Sequence, residues 1–251
     1  MNSPTSLKKN IYEHRKSKGL PWPPLISGTL IRRYKRFMAD VKLESGVTVT
    51  AHCPNTGSMM GCSEPGKAVY LSYHNNPNRK LKYTWELIDM PNSLVGINTS
   101  IPNRLVFKSI EEKLIGDLHG YTRIFKEYKI SNNSRIDLLL ENNDSRCFVE
   151  IKNCTLVEKG IALFPDAVTS RGKKHLVELQ KLVASGNRCV MFYLIQRMDA
   201  KRFKPACHID PAYCDELKVA LKNGVEVMAY DVDIDLEKIS INDKIPLILG
   251  D

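Results

Sequence analysis

The chain has 251 residues, 43% of them hydrophobic, and 37 Lys and Arg against 28 Asp and Glu give it a formal charge of +9. That is apolar material for one large or two small cores, and two is the expectation. No run of about 18 apolar residues is present, which excludes a membrane-spanning helix, and the basic N-terminus reaches Pro21-Trp22-Pro23-Pro24 without an apolar stretch, so no secretory signal is expected.

The charge is uneven. Nine basic residues (Lys8, Lys9, Arg15, Lys16, Lys18, Arg32, Arg33, Lys35, Arg36) and one acid, Glu13, fall within the first 36 positions, a local excess of +8. Such a cluster suits a polyanion, and DNA is the partner expected, with no membrane contact. Residues 1–20 read as a basic, flexible extension. The seven cysteines (Cys53, Cys62, Cys147, Cys154, Cys189, Cys207, Cys214) include no C-x-x-C pair, the usage of a reducing cytoplasm in which thiols act as small buried apolar groups. His52, Cys53 and Cys62 match no standard zinc spacing.

Over 21–91, short apolar stretches alternate with turn signals. Strands are expected at 25–32, 37–43, 47–52, 68–73 and 81–90, separated by Glu44-Ser45-Gly46, a long loop, Glu64-Pro65-Gly66 and a polar turn at 75–78. Five short strands point to a small oligonucleotide-binding barrel. Tyr34, Phe37, Tyr70, Tyr73, Tyr83 and Trp85, with Arg79, Lys80 and Lys82, would offer it stacking surfaces and cations, although aromatics at such positions are more often core. The loop HCPNTGSM, 52–59, has the polar content of a binding loop or of a turn shaped by Pro54, Asn55 and Gly57.

Met90-Pro91-Asn92-Ser93 marks a boundary, and a second unit is expected over 92–235. A helix begins near Pro102 with the stripe Leu105, Ile110, Leu114, Ile115 and Leu118, ended by Gly120. A strand over 122–128, a turn at 131–134, strands over 135–141 and 147–152, and a helix over 168–185 follow. The series closes with a strand over 189–195, a helix from Asp210-Pro211 to Asn223-Gly224 and a strand over 225–230. This order implies a mixed sheet flanked by helices, an α/β (α+β) architecture, with 236–251 left as a tail.

The chemistry concentrates between Arg135 and Lys152. A period of two places Asp137, Leu139 and Glu141 on one face of the first strand and Phe148, Glu150 and Lys152 on one face of the second. Charges set among Ile136, Leu138, Val149 and Ile151 lose hydration that only a partner or a metal restores. Magnesium is one such partner: Asp137 and Glu150 would supply oxygen ligands, the Ile151 carbonyl a third, and Lys152 would orient a water for attack on phosphorus. An exposed strand edge with a surface Glu–Lys pair is the alternative reading of that spacing. On the helix over 168–185, Arg171, Lys173, Lys174 and His175 form a second basic cluster. Arg171 and His175 share one face, Lys174 and Glu178 another, suited to DNA phosphates or to ordinary surface pairs.

Six ordered blocks, GTLIRRYKRFMADV (28–41), AHCPNTGSM (51–59), VGINTSIPN (95–103), SRIDLLLE (134–141), VEIKN (149–153) and FPDAVTSRGKKHLVEL (164–179), resemble the sugar fermentation stimulation protein family of bacteria and archaea. The resemblance extends from about Leu25 to Asp231. It implies an oligonucleotide-binding barrel followed by a domain similar to the PD-(D/E)xK nucleases, and DNA binding without marked sequence preference, linked to regulation of sugar utilisation. On that resemblance Asp137, Glu150 and Lys152 fall on the nuclease motif, and the helical acid of the superfamily would be Glu111 or Glu112. Ile136 stands where the motif has proline, which leaves the carboxylate ligand itself unchanged. Two functions follow: a DNA-binding protein contacting phosphates through Arg32, Arg33, Lys35 and Arg36 with Arg171, Lys173, Lys174 and His175, or a magnesium-dependent DNA nuclease with Asp137, Glu150 and Lys152 as its catalytic set. The residues leave the oligomeric state open.

Overall fold

The structure is a computed structural model that describes residues 19–131 and 134–249. The basic extension expected over 1–20 lies, up to Lys18, outside the described residues. A two-residue strand, β1 (Leu20–Pro21), comes first. Alternating apolar positions then form β2 (Leu25–Tyr34), β3 (Met38–Leu43), β4 (Thr48–His52), β5 (Ala68–Tyr73), β6 (Tyr83–Met90) and β7 (Ser93–Gly96). Their order is β4-β3-β2-β5-β6-β7, and β4 also pairs with β6, Ala51 opposite Tyr83 and His52 opposite Thr84, which closes a barrel. Closure removes the sheet edges that an open five-stranded sheet would leave unpaired.

Leu30, Val41, Leu71, Trp85 and Ile88 fill the barrel. Trp85 is therefore core, its indole N–H donating to the Leu87 carbonyl at 2.9 Å, and Tyr70 packs against a core residue cluster as well. Of the aromatics expected to stack on bases, Phe37 (48% exposed) and Tyr73 (45%) are the ones at the surface.

The second unit runs α1 (Ile101–Glu111), β8 (Arg123–Ser131), β9 (Ser134–Glu141), β10 (Arg146–Cys154), β11 (Leu156–Glu158), β12 (Ile161–Phe164), α2 (Ser170–Ala184), β13 (Arg188–Ile195), β14 (Arg202–Pro205), α3 (Pro211–Lys222), β15 (Glu226–Ile234) and β16 (Lys238–Lys244). Seven strands form a mixed sheet in the order β1-β16-β15-β13-β10-β9-β8, parallel at β10–β13 and β13–β15. One face, through Leu138, Val149 and Phe192, packs against Leu105 and Ile110 of α1. The other, through Met191 and Tyr193, packs against Leu176 of α2 and Leu217 of α3. Strands β11, β12 and β14 form a separate small sheet.

Several expectations are corrected. Within the expected tail 236–251, β16 pairs with β15 and, through Ile239 opposite Leu20, with β1, while residues 250 and 251 lie outside the described residues. Leu20 and Trp22 accordingly bury in the core of the second unit rather than in the barrel, each side chain contributing roughly 1.5–3 kcal/mol. Helix α1 stops at Glu111 instead of reaching Gly120: Lys113 turns left-handed with φ 55°, and the Leu114 N–H closes on the Ser109 carbonyl at 2.8 Å, a helix stop made without glycine. Five cysteines are buried free thiols as expected. Cys207 and Cys214 are not, since Cys207 in the turn after β14 meets Cys214 on α3 as a disulfide, Cα atoms 5.1 Å apart. Among the described residues no helix is long and apolar enough to cross a membrane, and His52, Cys53 and Cys62 form no metal-binding group.

The two units meet at Gly96. Its N–H donates to the Gln196 carbonyl at 2.9 Å, while the Gln196 side-chain amide donates to Asn98 O at 3.3 Å and to Asn153 Oδ1 at 2.7 Å. A Cβ at Gly96 would lie 2.9 Å from Gln196 Cδ and nearer still to Oε1. Gly96→Ala is therefore expected to cost about 1–3 kcal/mol, read as a lower urea midpoint, and Gln196→Ala in the same chain should recover part of that loss.

Candidate active site

The ladder between β9 and β10 runs from Glu141–Arg146 to Leu138–Val149 and stops. One step further Asp137 and Glu150 would face each other, and there the strands part. Asp137 Oδ2 takes the Ile151 N–H at 2.7 Å in place of a backbone partner. A strand residue directs its N–H and C=O to the same edge, so the Ile151 carbonyl faces this gap too. The alternation expected for β9 is interrupted at Asp137: Ile136 packs in the same cluster as Leu139, and Leu138 in the opposite one. On the other edge of β9, opposite Asp137 in the β8 ladder, Glu127 carries φ 50°. β10 keeps its period, so Glu150 and Lys152 share the face covered by α2.

Glu150 is 2% exposed. Its Oε1 accepts from Lys152 Nζ at 2.6 Å and from His175 Nδ1 in a very short contact. Its Oε2 is buried and has no hydrogen-bond partner. Lys152 Nζ also lies 3.2 Å from His175 Nδ1, so His175 donates to the carboxylate and the ammonium sits beside it. Burial alone would push the Glu150 carboxyl up, yet His175 and Lys152 outweigh it and hold the pKa below the ordinary value. Asp137 behaves oppositely: burial first, and the Glu150 charge second, raise it to about 6 against hydrogen bonds from Ile151 and Asn103. The pair is thus arranged to hold one negative charge on Glu150 and to ionise Asp137 only near neutrality.

The α1 residue that reaches the site is Asn103, whose Nδ2 donates to Asp137 Oδ1 at 2.8 Å. Glu111 and Glu112, the expected helical acids, lie two turns away. Glu112 faces Lys108 at 3.8 Å. His175, expected among phosphate contacts with Arg171, is 5% exposed and turned onto Glu150, because α2 buries Gly172, His175, Leu176 and Leu179 on its inner face. Arg171 stays exposed, and Lys174 lies 3.7 Å from Glu178. Lys173 leans to Glu216 of α3 at 3.9 Å, away from the carboxylates.

Two cavities flank this set. A polar cleft of about 600 Å³ is lined by Asp137, His175, Arg171, Lys174, Arg135 and Lys129. A second of about 400 Å³, lined by Lys152, Asn153, Arg171 and the barrel loop at Asn55–Gly57, lies between the two units. On the barrel, Arg32, Lys35 and Arg36 are exposed near the tip of the β2–β3 hairpin. Arg32 pairs with Asp40 at 2.9 Å. Arg33 is half-buried and lines a cavity with Arg36, and its guanidinium donates to the carbonyls of Asn55 at 3.1 Å and Gly57 at 2.8 Å. Arg36 lines a cavity shared with Val168 and Thr169, just ahead of α2, so both basic clusters border one side of the molecule. Loop 52–59 has a defined role as well. Ser58 Oγ donates to Asp166 O at 2.6 Å and the Met59 N–H to Asp166 Oδ2 at 2.9 Å, fastening the barrel to the second unit.

The profile for the SfsA N-terminal OB domain matches residues 31–97, and that for the sugar fermentation stimulation protein RE domain matches residues 100–238. The chain belongs to the sugar fermentation stimulation protein family. A homolog of that protein from Geobacter sulfurreducens is 53% identical over 228 residues, 91% of this chain and 98% of its own. One from Marinomonas is 46% identical over 90% of this chain and 89% of its own. The solved structure of Pyrococcus furiosus SfsA in complex with Ca2+ superposes with a TM-score of 0.84 at 28% identity, covering 92% of this chain and 99% of that one. The family fold is therefore the OB-like barrel and mixed sheet described above.

Spacing alone marked Asp137, Glu150 and Lys152. It did not mark Asn103, more than thirty positions upstream, and the helical spacing that grouped His175 with Arg171 pointed it the wrong way. With its pKa raised from 3.8 to about 6, Asp137 contributes stability that is complete below about 4 and lost as pH rises through about 6, a cost of about 3 kcal/mol at neutral pH. Asn103→Leu removes a bond that favours the charged form, so the Asp137 midpoint should move above 6 in a carboxyl carbon NMR titration. A midpoint that stays or falls would contradict this account of the site.

Proposed function

We propose that this protein binds DNA through phosphate contacts with little sequence preference and hydrolyses phosphodiester bonds at Asp137, Glu150 and Lys152. The observation that carries the hydrolytic reading is the buried, unpartnered Glu150 Oε2 on a carboxylate whose charge acts on neighbouring Asp137, itself held by the Ile151 N–H. An uncompensated buried carboxylate oxygen is costly unless a cation completes it. Two carboxylates and a carbonyl are the hard oxygen donors that magnesium takes, with waters filling its remaining positions. The Ca2+ bound by the Pyrococcus furiosus relative supports a divalent ion in this family.

When bound there, the ion would polarise a phosphate oxygen and lower the pKa of a water. The protein's own groups would do the rest. His175 pins Glu150 Oε1 and leaves Oε2 free. Lys152 Nζ, 2.6 Å from Oε1, would orient the attacking water and balance charge growing on phosphorus. Arg171, exposed at the rim of both cavities, would hold a neighbouring phosphate. Arg32, Lys35, Arg36 and Lys174 would position the backbone without reading bases. The link to sugar utilisation comes from the family's name, whereas the site chemistry points to phosphodiesters.

Magnesium-dependent cleavage of labelled DNA is the direct test. Asp137→Ala and Lys152→Ala should each reduce it by at least about a hundredfold while gel-shift affinity persists; variants that cut like the parent would defeat the assignment. Affinity should fall steeply with salt. Replacing Arg32, Lys35 and Arg36 by Ala should weaken all sequences alike and flatten the log–log salt slope by about 2–3. Divalent binding, followed by calorimetry, should be strong at pH 8 and fade below about pH 6 as Asp137 takes up a proton.

A further inference from the structure

Past Lys152, the far end of β10 is roofed by the barrel. Loop 54–59 lies over it and is tied down at both ends. Thr99 Oγ1 donates to Pro54 O at 2.5 Å, and Ser58 Oγ donates to Asp166 Oδ2 at 2.9 Å in addition to the Asp166 carbonyl. Arg33 clamps the span between them through the Asn55 and Gly57 carbonyls. The roof is thus held by four or more hydrogen bonds from three separate elements.

Beneath it is the cavity of about 400 Å³, walled by Thr56, Thr99, Lys152, Asn153, Phe164 and Arg171. It opens directly beside the proposed reaction centre, and its two cations, Lys152 and Arg171, stand where a phosphate would enter. Phe164 supplies an apolar wall, its ring backed by Tyr193 and Tyr213 at 5.3 Å. Such a volume accommodates about one nucleotide, the size of pocket into which base-processing enzymes draw a single extruded base. A duplex, with two backbones and stacked pairs, is far larger than a cavity of about 400 Å³. The cleft on the Asp137 side, of about 600 Å³, is lined by Lys129, Arg135 and Lys174 and by no residue of the barrel.

We propose that the roofed cavity receives one unpaired nucleotide of a polynucleotide whose adjoining phosphate lies at Asp137, Glu150 and Lys152, so that the preferred substrate is single-stranded nucleic acid or an unpaired end rather than continuous duplex. This rests on the nucleic-acid reading above and goes beyond it by fixing the strand form. The barrel thereby acts as a filter on what reaches the carboxylates, in addition to supplying cations.

The test compares the affinity of the full chain, in EDTA and again in Ca2+, for a fluorescent single-stranded oligonucleotide and for a relaxed, covalently closed duplex circle that has neither ends nor unpaired nucleotides. The expected result is binding of the single strand at least tenfold tighter per site at equal salt. Thr56→Trp, which adds bulk at an exposed loop position lining the cavity, should abolish that preference while leaving affinity for the duplex circle within twofold and the melting temperature unchanged. Equal affinity for the two ligands, or a single-strand affinity untouched by Thr56→Trp, would overturn the inference and leave general DNA binding standing. Failure to bind either ligand would overturn the nucleic-acid reading itself, and this inference with it.

Discussion

A carboxylate taken out of water in the middle of a sheet sets the terms for the rest of this molecule. Glu150 is held on β10 between parallel β13 and the end of the β9 ladder, with His175 and Lys152 both on Oε1 and nothing on Oε2. Compensation on one oxygen is sufficient to keep the group ionised, and the uncompensated second oxygen maintains a negative potential in the gap. Asp137 feels that potential as a pKa pushed up to about 6. The gap therefore accumulates negative charge as pH approaches neutrality, a situation that a divalent cation relieves and that apolar packing would not.

Every element around the site serves to hold that arrangement. The end of the β9–β10 ladder frees the Ile151 N–H for Asp137, and Asn103 at the start of α1 fixes the other oxygen of Asp137. On the opposite face, α2 enters with Thr169 as its cap, the Thr169 side chain accepting from Gly172 N at 3.0 Å and the Thr169 N–H donating to Asp210 at 2.8 Å. Gly172 leaves room for this turn, since a Cβ there would lie 2.8 Å from Thr169 Cγ2 and 3.1 Å from Tyr213. One turn later the helix delivers His175 to Glu150. The basic residues at its exposed edge follow from the same placement, because the inward positions of that turn are occupied.

The barrel joins this centre through polar contacts and through its loop. Glu86, buried in the barrel, accepts from Ser72 at 2.6 Å and from Asn98 at 2.8 Å. Asn98 O accepts from Gln196, and Gln196 in turn reaches Asn153, the residue after Lys152. A continuous hydrogen-bonded path thus runs from the barrel interior to the strand that carries the site, and the close approach that it needs is permitted by the missing side chain at Gly96. Together with loop 54–59 on Asp166, these bonds give the barrel one orientation over the carboxylates.

The alternation of RIDLLLE and CFVEIKN, the five short strands before Met90 and the charge of the first 36 residues were enough to mark two units, the strands that carry the carboxylates, and Asp137, Glu150 and Lys152 as candidates, because periodicity and ion-pair chemistry are local properties. What the chain could not disclose by itself was which groups converge from a distance. Asn103 and His175 become part of the site only when α1 and α2 cover opposite faces of one sheet, Arg33 becomes a clamp only when loop 54–59 folds back on it, and Leu20 finds β16 only after more than two hundred intervening residues have been placed. Those choices belong to the tertiary structure, since side-chain direction and burial are set by packing between elements, and no period along the sequence encodes which face of one element will meet another.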